Sequence, residues 1–190
     1  MRQLNAWLYM TLDGVVEAPE NWVVPDEEMF DEQTALYARS DALLLGRRTF
    51  DVFAASWPER GSEVPNADWM NETPKFVATS APLGLTWNNT SVLDGDIVET
   101  VARLKQGPGG AITLNGSTEL LRTLLVAGLV DELRLFVQPV LVGSGRRLFD
   151  AAGSALDLGL RASRAYKSGS VSLTYGFPQP DEGTARPRRS

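Results

Sequence analysis

Two short apolar runs, each followed at once by a helical pattern, constrain the fold of this chain more than any other feature. Residues 42–45 (Ala-Leu-Leu-Leu) end at Gly46, where a helical pattern begins. Residues 111–114 end at the sequence Asn-Gly-Ser, and a second helical pattern follows. A continuous apolar run is typical of a strand that is buried on both faces. Strands that alternate with helices predict an α/β fold with a mostly parallel sheet.

Strands with a different pattern flank this central part. Residues 4–12 alternate between two faces, which predicts a strand. Alternating apolar residues predict three more strands near the carboxyl terminus, at positions 133–137, 156–160 and 171–177. A turn at residues 167–170 joins the last two as an antiparallel hairpin. We therefore expect one domain over residues 1–177, followed by a disordered tail, rich in Pro, Arg and Gly, over residues 178–190.

The chain has 190 residues, and none of them is His or Cys. This composition excludes Ser-His-Asp and Cys-His nucleophilic sites, structural disulfides and thiol redox chemistry. It also removes the side chains that hold zinc in almost every zinc site, so we expect no metal centre. Any proton transfer must use Asp, Glu, Lys, Tyr or water.

The charge and hydropathy of the chain limit its partners. Lys and Arg number 18 against 24 Asp and Glu, which gives a net charge of −6. An acidic surface repels a polyanion, so nucleic acid is a poor candidate partner. Residues 1–11 lack the apolar segment of a signal peptide, and no apolar run reaches the roughly 18 residues that a membrane span needs. We expect a cytoplasmic protein with no membrane association.

The two strand-to-helix turns are candidate anion sites. The first contains Gly46, Arg47, Arg48 and Thr49, and the second contains Asn115, Gly116, Ser117 and Thr118. Free backbone N–H groups at a helix start can hold a phosphate, and two such turns on neighbouring strands could bracket a diphosphate. The structural alternative for each turn is a helix start with a glycine that permits close packing. The G-x-G-x-x-G and Walker motifs are absent, so a nucleotide site here needs another layout.

Three acidic residues and one loop are further candidates. Asp13 follows the first strand, at the edge where open α/β sheets bind ligands, but a turn residue before Gly14 would look the same. Asp26 and Glu27 open a helix, where capping and compensation of the helix dipole are the structural alternatives. The glycine-rich, basic loop over residues 141–147 could contact phosphate, but we favour a sharp turn of the sheet.

Five stretches of the chain, in this order, resemble a known superfamily. They are residues 11–14 (Thr-Leu-Asp-Gly), 41–50 (Asp-Ala-Leu-Leu-Leu-Gly-Arg-Arg-Thr-Phe), 75–80 (Lys-Phe-Val-Ala-Thr-Ser), 115–117 (Asn-Gly-Ser) and 128–141, which begins Gly-Leu-Val-Asp-Glu-Leu. Together they resemble the dihydrofolate reductase-like superfamily, most closely the branch of the riboflavin-biosynthesis reductase (RibD C-terminal) domain. The resemblance implies a three-layer α/β fold, with a mixed, mostly parallel sheet of about eight strands and helices on both faces.

The resemblance also implies a cofactor, NADPH, that lies across the carboxyl ends of the strands. The turn that begins at Gly46 would hold the cofactor phosphates, the Gly116 turn would meet the diphosphate, and Thr79 and Ser80 would border the adenosine 2′-phosphate. The full set of cofactor residues that it implies is Leu45, Gly46, Arg47, Arg48, Thr49, Thr79, Ser80, Asn115, Gly116, Ser117, Thr118 and Glu119.

For the substrate side, the resemblance implies two alternatives. In dihydrofolate reductases a carboxylate at the start of the first helix pairs with the pterin ring, and Glu27 or Asp26 stands in that place here. In the riboflavin branch the acidic residue of the Leu-Asp-Gly turn, here Asp13, lies near the nicotinamide. Asp13, Trp22 and Glu27 would contact the substrate, and burial beside Trp22 would raise the pKa of the acting carboxylate, Asp13 or Glu27. We expect no fused deaminase domain of the kind that many riboflavin enzymes carry.

The sequence therefore predicts an NADPH-dependent reductase that acts on a small heterocyclic or ribosylamino-pyrimidine substrate. It would resemble either 5-amino-6-(5-phosphoribosylamino)uracil reductase or dihydrofolate reductase. The alternatives are a non-catalytic nucleotide- or pterin-binding protein on the same fold, and an α/β scaffold for protein partners. A homodimer is expected, because the terminal hairpin has free strand edges and relatives of the riboflavin branch usually pair.

Overall fold

The computed structural model of the chain describes residues 1–149 and 156–177. Its strands are β1 (Leu4–Thr11), β2 (Ser40–Gly46), β3 (Lys75–Ala78), β4 (Thr90–Leu93), β5 (Ala111–Asn115), β6 (Glu132–Gln138), β7 (Gly159–Ala165) and β8 (Val171–Gly176). Its helices are α1 (Glu27–Ala38), α2 (Arg47–Ala54), α3 (Ala67–Glu72), α4 (Ile97–Gln106) and α5 (Thr118–Val126), with a single 3-10 turn at Pro19–Asn21 in this part of the chain.

The strands form one sheet in the order β4-β3-β2-β5-β1-β6-β8-β7. The six strands from β4 to β6 are parallel, and β8 pairs antiparallel with both β6 and β7. This arrangement confirms the predicted mostly parallel sheet and its terminal hairpin. Because β1, β2, β3 and β5 run in the same direction, they end along one edge of the sheet, which we call the carboxyl edge. Their first residues lie along the opposite, amino edge.

Helices cover both faces of the sheet, as the sequence predicts. On one face, Val101 of α4 and Leu121 of α5 pack in a cluster that includes Leu4 of β1. On the other face, Met29 of α1 and Phe50 of α2 pack in a second cluster that includes Trp7 of β1. Alternate residues of β1 enter opposite clusters because successive side chains of a strand point to opposite faces.

Two elements differ from the sequence prediction. Helix α3, only six residues long, was not predicted, because so short a segment shows no apolar stripe. The leucine alternation at positions 156–160 predicted a strand there, but β7 begins only at Gly159 and all seven of its residues are exposed. The predicted tail, residues 178–190, lies outside the described residues. Within the described part of the chain, no helix has the length and apolar character that crossing a membrane requires.

Candidate functional site

The two predicted turns lie side by side at the carboxyl edge. Strands β2 and β5 are neighbours in the sheet, with Leu44 opposite Leu114. Helix α2 starts directly after β2, and two residues separate the end of β5 from the start of α5. Adjacent parallel strands therefore bring two helix starts together at one edge, where open α/β sheets place their ligands.

Direct hydrogen bonds fasten the two turns to each other. The backbone N–H of Gly46 donates to Ser117 Oγ at 2.7 Å. The backbone N–H and the hydroxyl of Ser117 both donate to Thr49 Oγ1, each at 3.0 Å. Gly116 has a positive φ of 64°, and a Cβ there would lie 3.1 Å from Thr49 Cγ2. Glycine is therefore favoured at this position for two reasons: it adopts the left-handed backbone conformation without strain, and it lets the two turns approach closely.

The starts of α2 and α5 differ from those of α1 and α4 in their capping. Asp26 caps α1 by accepting from the N–H of Met29, and Asp96 caps α4 by accepting from the N–H of Glu99. No side chain caps α2 or α5. The first-turn N–H groups of these two helices have no intrahelical acceptor, and they are therefore available to a ligand.

The two arginines of the first turn have different surroundings. Arg47 donates to both carboxylate oxygens of Asp51, at 2.8 and 2.9 Å, and to the carbonyl of Pro82 at 2.6 Å. It thereby ties α2 to the segment that follows β3. Arg48 is exposed, and its side chain has no hydrogen bond or ion pair with any described residue. Arg48 is therefore the arginine whose charge is free for a ligand.

The remaining candidate cofactor residues are distributed around these turns. Leu45 is fully buried, so only its backbone can face a ligand, and Thr118 is buried as well. The amide of Asn115 is buried and donates to the hydroxyl of Tyr37 at 2.8 Å. Glu119 is exposed in the first turn of α5, where it brings negative charge to the site.

Thr79 and Ser80 follow β3, which is the neighbour of β2 in the sheet. The hydroxyl of Thr79 donates to the carbonyl of Ala81 at 3.0 Å and accepts from its N–H at 3.1 Å. Ser80 is exposed. Of these two hydroxyls, that of Ser80 is the one open to solvent.

Asp13 is held in a network of hydrogen bonds. Its carboxylate accepts from the hydroxyl of Thr11 at 2.6 Å and from the backbone N–H of Gly143 at 2.8 Å. The guanidinium of Arg147 lies 3.5 Å from the same carboxylate. The Thr11 hydroxyl, followed by the Gly143 N–H, lowers the pKa of Asp13 to about 2. A carboxylate with so low a pKa is ionised at neutral pH and is poorly suited to donate a proton.

Asp26 and Glu27 also occupy different environments. The Asp26 carboxylate accepts from the N–H groups of Met29 and Ser168, at 3.2 and 3.0 Å. Partial burial would raise the pKa of Asp26, but the hydrogen bonds from Ser168 and Met29 outweigh it and the pKa is lowered. Glu27 is exposed, and its side chain has no hydrogen bond or ion pair with any described residue.

The expectation of a raised pKa, made for Asp13 or Glu27, is therefore wrong for Asp13, because hydrogen bonds to the charged form dominate over burial there. Trp22 is half-buried and donates from Nε1 to the carbonyl of Glu17 at 2.8 Å. No hydrogen bond or ion pair joins any two of Asp13, Trp22, Asp26 and Glu27 in the described chain.

The sequence did not predict that residues 12–17 would be joined to residues 140–148 by hydrogen bonds and ion pairs. Besides the Asp13 contacts, the N–H of Leu12 donates to the carbonyl of Val140 at 3.0 Å, and the N–H of Val16 donates to the carbonyl of Arg146 at 2.9 Å. Arg146 lies 3.6 Å from the carboxylate of Glu17. The acidic residues of the first segment and the arginines of the second were the only signal of this pairing in the sequence.

This sheet order, with helices on both faces and two facing helix starts at the carboxyl edge, defines a dihydrofolate reductase-like α/β protein. The chain belongs to the RibD C-terminal domain family, whose sequence profile matches residues 2–172. These findings confirm the superfamily, the branch and the fold that the sequence predicted.

Individual relatives span nearly all of the chain. It is 31% identical over 182 residues to YyaP of Bacillus subtilis (strain 168), which covers 92% of this chain and 94% of YyaP. A structure from Shewanella sp. PV-4, attributed to riboflavin biosynthesis, is 23% identical with a TM-score of 0.72 and covers 94% of this chain and 100% of that one. Dihydrofolate reductase from Enterococcus faecalis, solved with NADP(H) and RAB-propyl, is 18% identical with a TM-score of 0.63 and covers 93% of this chain and 97% of that one.

Proposed function

We propose that the protein is an NADPH-dependent reductase of small heterocyclic or ribosylamino-pyrimidine substrates. The observation that carries this proposal is the pair of uncapped helix starts, α2 and α5, held together at the carboxyl edge beside the exposed Arg48. The family and the solved relatives are reductases, which supports the same activity class.

The residues at the carboxyl edge fit the phosphates of such a cofactor. First-turn N–H groups of α2 and α5 would donate to the diphosphate, and the positive ends of both helix dipoles would favour its charge. Arg48 and the hydroxyl of Ser80 would hold the 2′-phosphate that distinguishes NADPH from NADH. When bound, the nicotinamide supplies the hydride. The protein's part is to position the substrate and to place charge beside it.

Among the candidate carboxylates, we propose Glu27 as the one that orients the substrate. Two adjacent N–H donors of an aminopyrimidine or a pterin match the two oxygens of a carboxylate. Glu27 has both oxygens free, whereas the oxygens of Asp26 and Asp13 already accept backbone N–H groups. Asp13 would instead hold the segment next to β1 in place, through the loop over residues 141–147.

A direct test combines binding and turnover. Calorimetry with NADPH should show saturable binding, and absorbance at 340 nm should report oxidation with one or more members of a panel of pterins and ribosylaminouracils. Glu27→Gln should lower turnover at least tenfold while leaving NADPH binding unchanged, because the cofactor phosphates lie at the other helices. An absence of any heat with NADPH would contradict the proposal.

A non-catalytic ligand-binding protein is the second candidate. The structural use of the Asp13 and Asp26 carboxylates favours it, because fewer groups are then left for chemistry. NADPH binding without oxidation across the whole panel, in the parent and in Glu27→Gln alike, would support this candidate over the reductase.

We also propose that the protein is a homodimer, paired through β7. This strand lies at the edge of the sheet, and all seven of its residues are exposed, including Leu160 at 57%. An exposed edge strand offers free backbone groups to a second strand. Leu160→Glu should convert a dimer into a monomer in sedimentation experiments, whereas Val126→Glu, at a similarly exposed site on α5, should not. A monomeric parent protein at micromolar concentration would overturn the assignment.

A further inference from the structure

The last residue of β6, Gln138, is buried at the carboxyl edge beside the start of α1. Strand β6 runs parallel to β1, with Gln138 opposite Thr11, so both strands end at this edge. Gln138 is 0% exposed. A buried side-chain amide needs partners for its oxygen and for its nitrogen. Its partners therefore show which parts of the chain meet at this point.

The Gln138 amide contacts three other segments of the chain. Its Oε1 accepts from the backbone N–H of Val24 and from the hydroxyl of Ser170, each at 3.0 Å. Its Nε2 donates to Met29 Sδ at 3.6 Å. Val24 lies in the segment that leads into α1, Ser170 in the turn between β7 and β8, and Met29 in the first turn of α1. One side chain thus joins the end of β6 to all three segments.

Further hydrogen bonds connect the hairpin turn to the start of α1. One carboxylate oxygen of Asp26 accepts from the N–H of Met29, and the other accepts from the N–H of Ser168. The Ser168 hydroxyl donates to Ser170 Oγ at 3.1 Å. These contacts close a ring that passes through Gln138, Ser170, Ser168, Asp26 and Met29. The start of α1 is therefore fixed against both β6 and the hairpin turn.

The contact with Val24 is important for the segment that precedes α1. Residues 22–25 include Trp22, which is one of the candidate substrate-binding residues. Among the described residues, the bond from the Val24 N–H to Gln138 is the only hydrogen bond that joins residues 22–25 to the sheet. Two residues separate Val24 from Glu27. Loss of the Gln138 oxygen would therefore detach the chain from the sheet immediately before Glu27.

From these contacts, we infer that Gln138 is a positioning residue for Glu27, an inference that rests on the proposed role of Glu27 in orienting the substrate. The Glu27 side chain is exposed and has no hydrogen bond or ion pair with any described residue, so its location depends on the backbone at the start of α1. Gln138 holds this helix start through Val24 and Met29. A substrate that donates to both oxygens of Glu27 needs the helix start in one place, because small misplacements of a binding group are costly. Gln138 itself is buried and acts only through α1.

Hydrogen exchange on the full-length protein without ligand tests whether Gln138 holds the helix start. Gln138→Met has a similar length but removes the acceptor of Val24 and Ser170. Exchange at the amides of Val24 and Ser168 should accelerate at least about tenfold. The matched control is Thr113→Val, which removes a buried hydrogen bond of 2.7 Å to Ser40, near the other end of α1. This control should leave exchange at Val24 and Ser168 unchanged.

Steady-state kinetics separate positioning from a loss of stability. With the pterin or ribosylaminouracil that the parent reduces fastest, Gln138→Met should raise the KM at least about fivefold and leave NADPH affinity unchanged, because α2 and α5 hold the cofactor. A variant that is only less stable contains less folded enzyme, so its apparent kcat falls while its KM stays the same. Thr113→Val should show no more than this. Ser170→Ala, a milder variant that keeps the Val24 contact, should raise the KM less than Gln138→Met.

A double variant tests whether Gln138 acts through Glu27. If it does, Gln138→Met added to Glu27→Gln should lower kcat/KM by less than about twofold beyond Glu27→Gln alone, because the group that it positions is already lost. Additive losses would overturn the inference. So would unchanged exchange at Val24 and Ser168, or an unchanged KM, in Gln138→Met. A parent protein that reduces no member of the panel would instead contradict the proposed function, and the positioning role of Gln138 would be rejected with it.

Discussion

The carboxylate of Asp13 accepts a hydrogen bond of 2.8 Å from the backbone N–H of Gly143, 130 positions further along the chain. This contact fastens the turn after β1 to the glycine-rich loop that follows β6. The two segments border the carboxyl edge on the side of β1 and β6, so the contact fixes one wall of the candidate site. Asp13 is thus a structural residue of the site, whatever further role it has.

Protonation of Asp13 in acid should weaken the contact between the turn after β1 and the loop that follows β6. Its pKa in the folded protein, about 2, lies below its ordinary value of 3.8, so the unfolded chain binds the proton more readily. The stabilisation by this carboxylate is therefore present above about pH 4 and is lost as the pH falls towards 2. Carboxyl NMR titration should place the Asp13 midpoint well below the ordinary value of 3.8.

The substitution Asp13→Asn should reproduce the acid effect at neutral pH. It keeps the shape of the side chain but removes the charge that the N–H groups of Val142 and Gly143 and the guanidinium of Arg147 approach. We expect hydrogen exchange at Gly143 to accelerate roughly tenfold, while exchange in β2 and β5 stays the same. Unchanged protection at Gly143 would show that the contact between residues 12–17 and 140–148 does not depend on the charge of Asp13.

Substitution of Gly116 tests the close approach of the two helix starts. Gly116→Ala places a Cβ at a φ of 64° and 3.1 Å from Thr49, so it should cost about 2–4 kcal/mol in the free energy of unfolding. Gly128→Ala is a matched control, because its φ is 68° but nothing lies within 4 Å of the added carbon. This control should cost only about 1 kcal/mol. Equal losses in urea denaturation would mean that contact with Thr49 contributes nothing.

The buried lysine of α4 anchors the start of β1 and β6. Lys105 is 3% exposed, and its Nζ lies 2.6 Å from both Asp131 Oδ2 and the carbonyl of Leu129. The same carboxylate oxygen accepts from the N–H of Leu4 at 2.7 Å. Lys105→Met should therefore destabilise the fold by about 2–4 kcal/mol, because Asp131 and a backbone carbonyl lose their partner.

An exposed ion pair on the same helix supplies the comparison for Lys105. Arg103 and Glu99 lie 3.9 Å apart with side chains 66% and 74% exposed. Arg103→Met should change the free energy of unfolding by no more than about 0.5 kcal/mol. A Lys105→Met variant as stable as Arg103→Met in thermal unfolding would contradict the anchoring role.

Local patterns predicted the elements around the site, because each depends on neighbouring residues. A run of consecutive apolar residues before Gly46 predicts a strand, and β2 lies there. The acidic residues at positions 26 and 27 predict the start of a helix, and α1 begins there. The partners of single side chains could not be predicted in this way. Asp13 looks like a turn residue in the sequence, and its contact with Gly143 depends on the order of β1 and β6 in the sheet.

The contrast between Arg47 and Arg48 shows the same limit within one turn. Both stand in a sequence that predicts anion binding, and only the position of Asp51, four residues after Arg47, separates them locally. The separation comes from Asp51, one helical turn further on, and from the carbonyl of Pro82 in a distant segment. These contacts occupy Arg47 and leave Arg48 exposed.

The two arginines should therefore respond differently to substitution by alanine. Arg48→Ala should leave the free energy of unfolding within about 0.5 kcal/mol of the parent, because exposed side chains without partners contribute little. If Arg48 holds the 2′-phosphate, calorimetry of Arg48→Ala should show NADPH affinity about 10–100-fold lower than that of the parent. NADH affinity should change little, because NADH has no 2′-phosphate and loses no charged hydrogen bond. Arg47→Ala should destabilise the protein measurably, by about 1 kcal/mol, and weaken both cofactors alike, because α2 loses its tie to residues 81 and 82. Equal binding of NADPH and NADH by the parent would contradict the proposed role of Arg48. The predicted difference in the free energy of unfolding between the two variants is independent of cofactor binding and is tested separately.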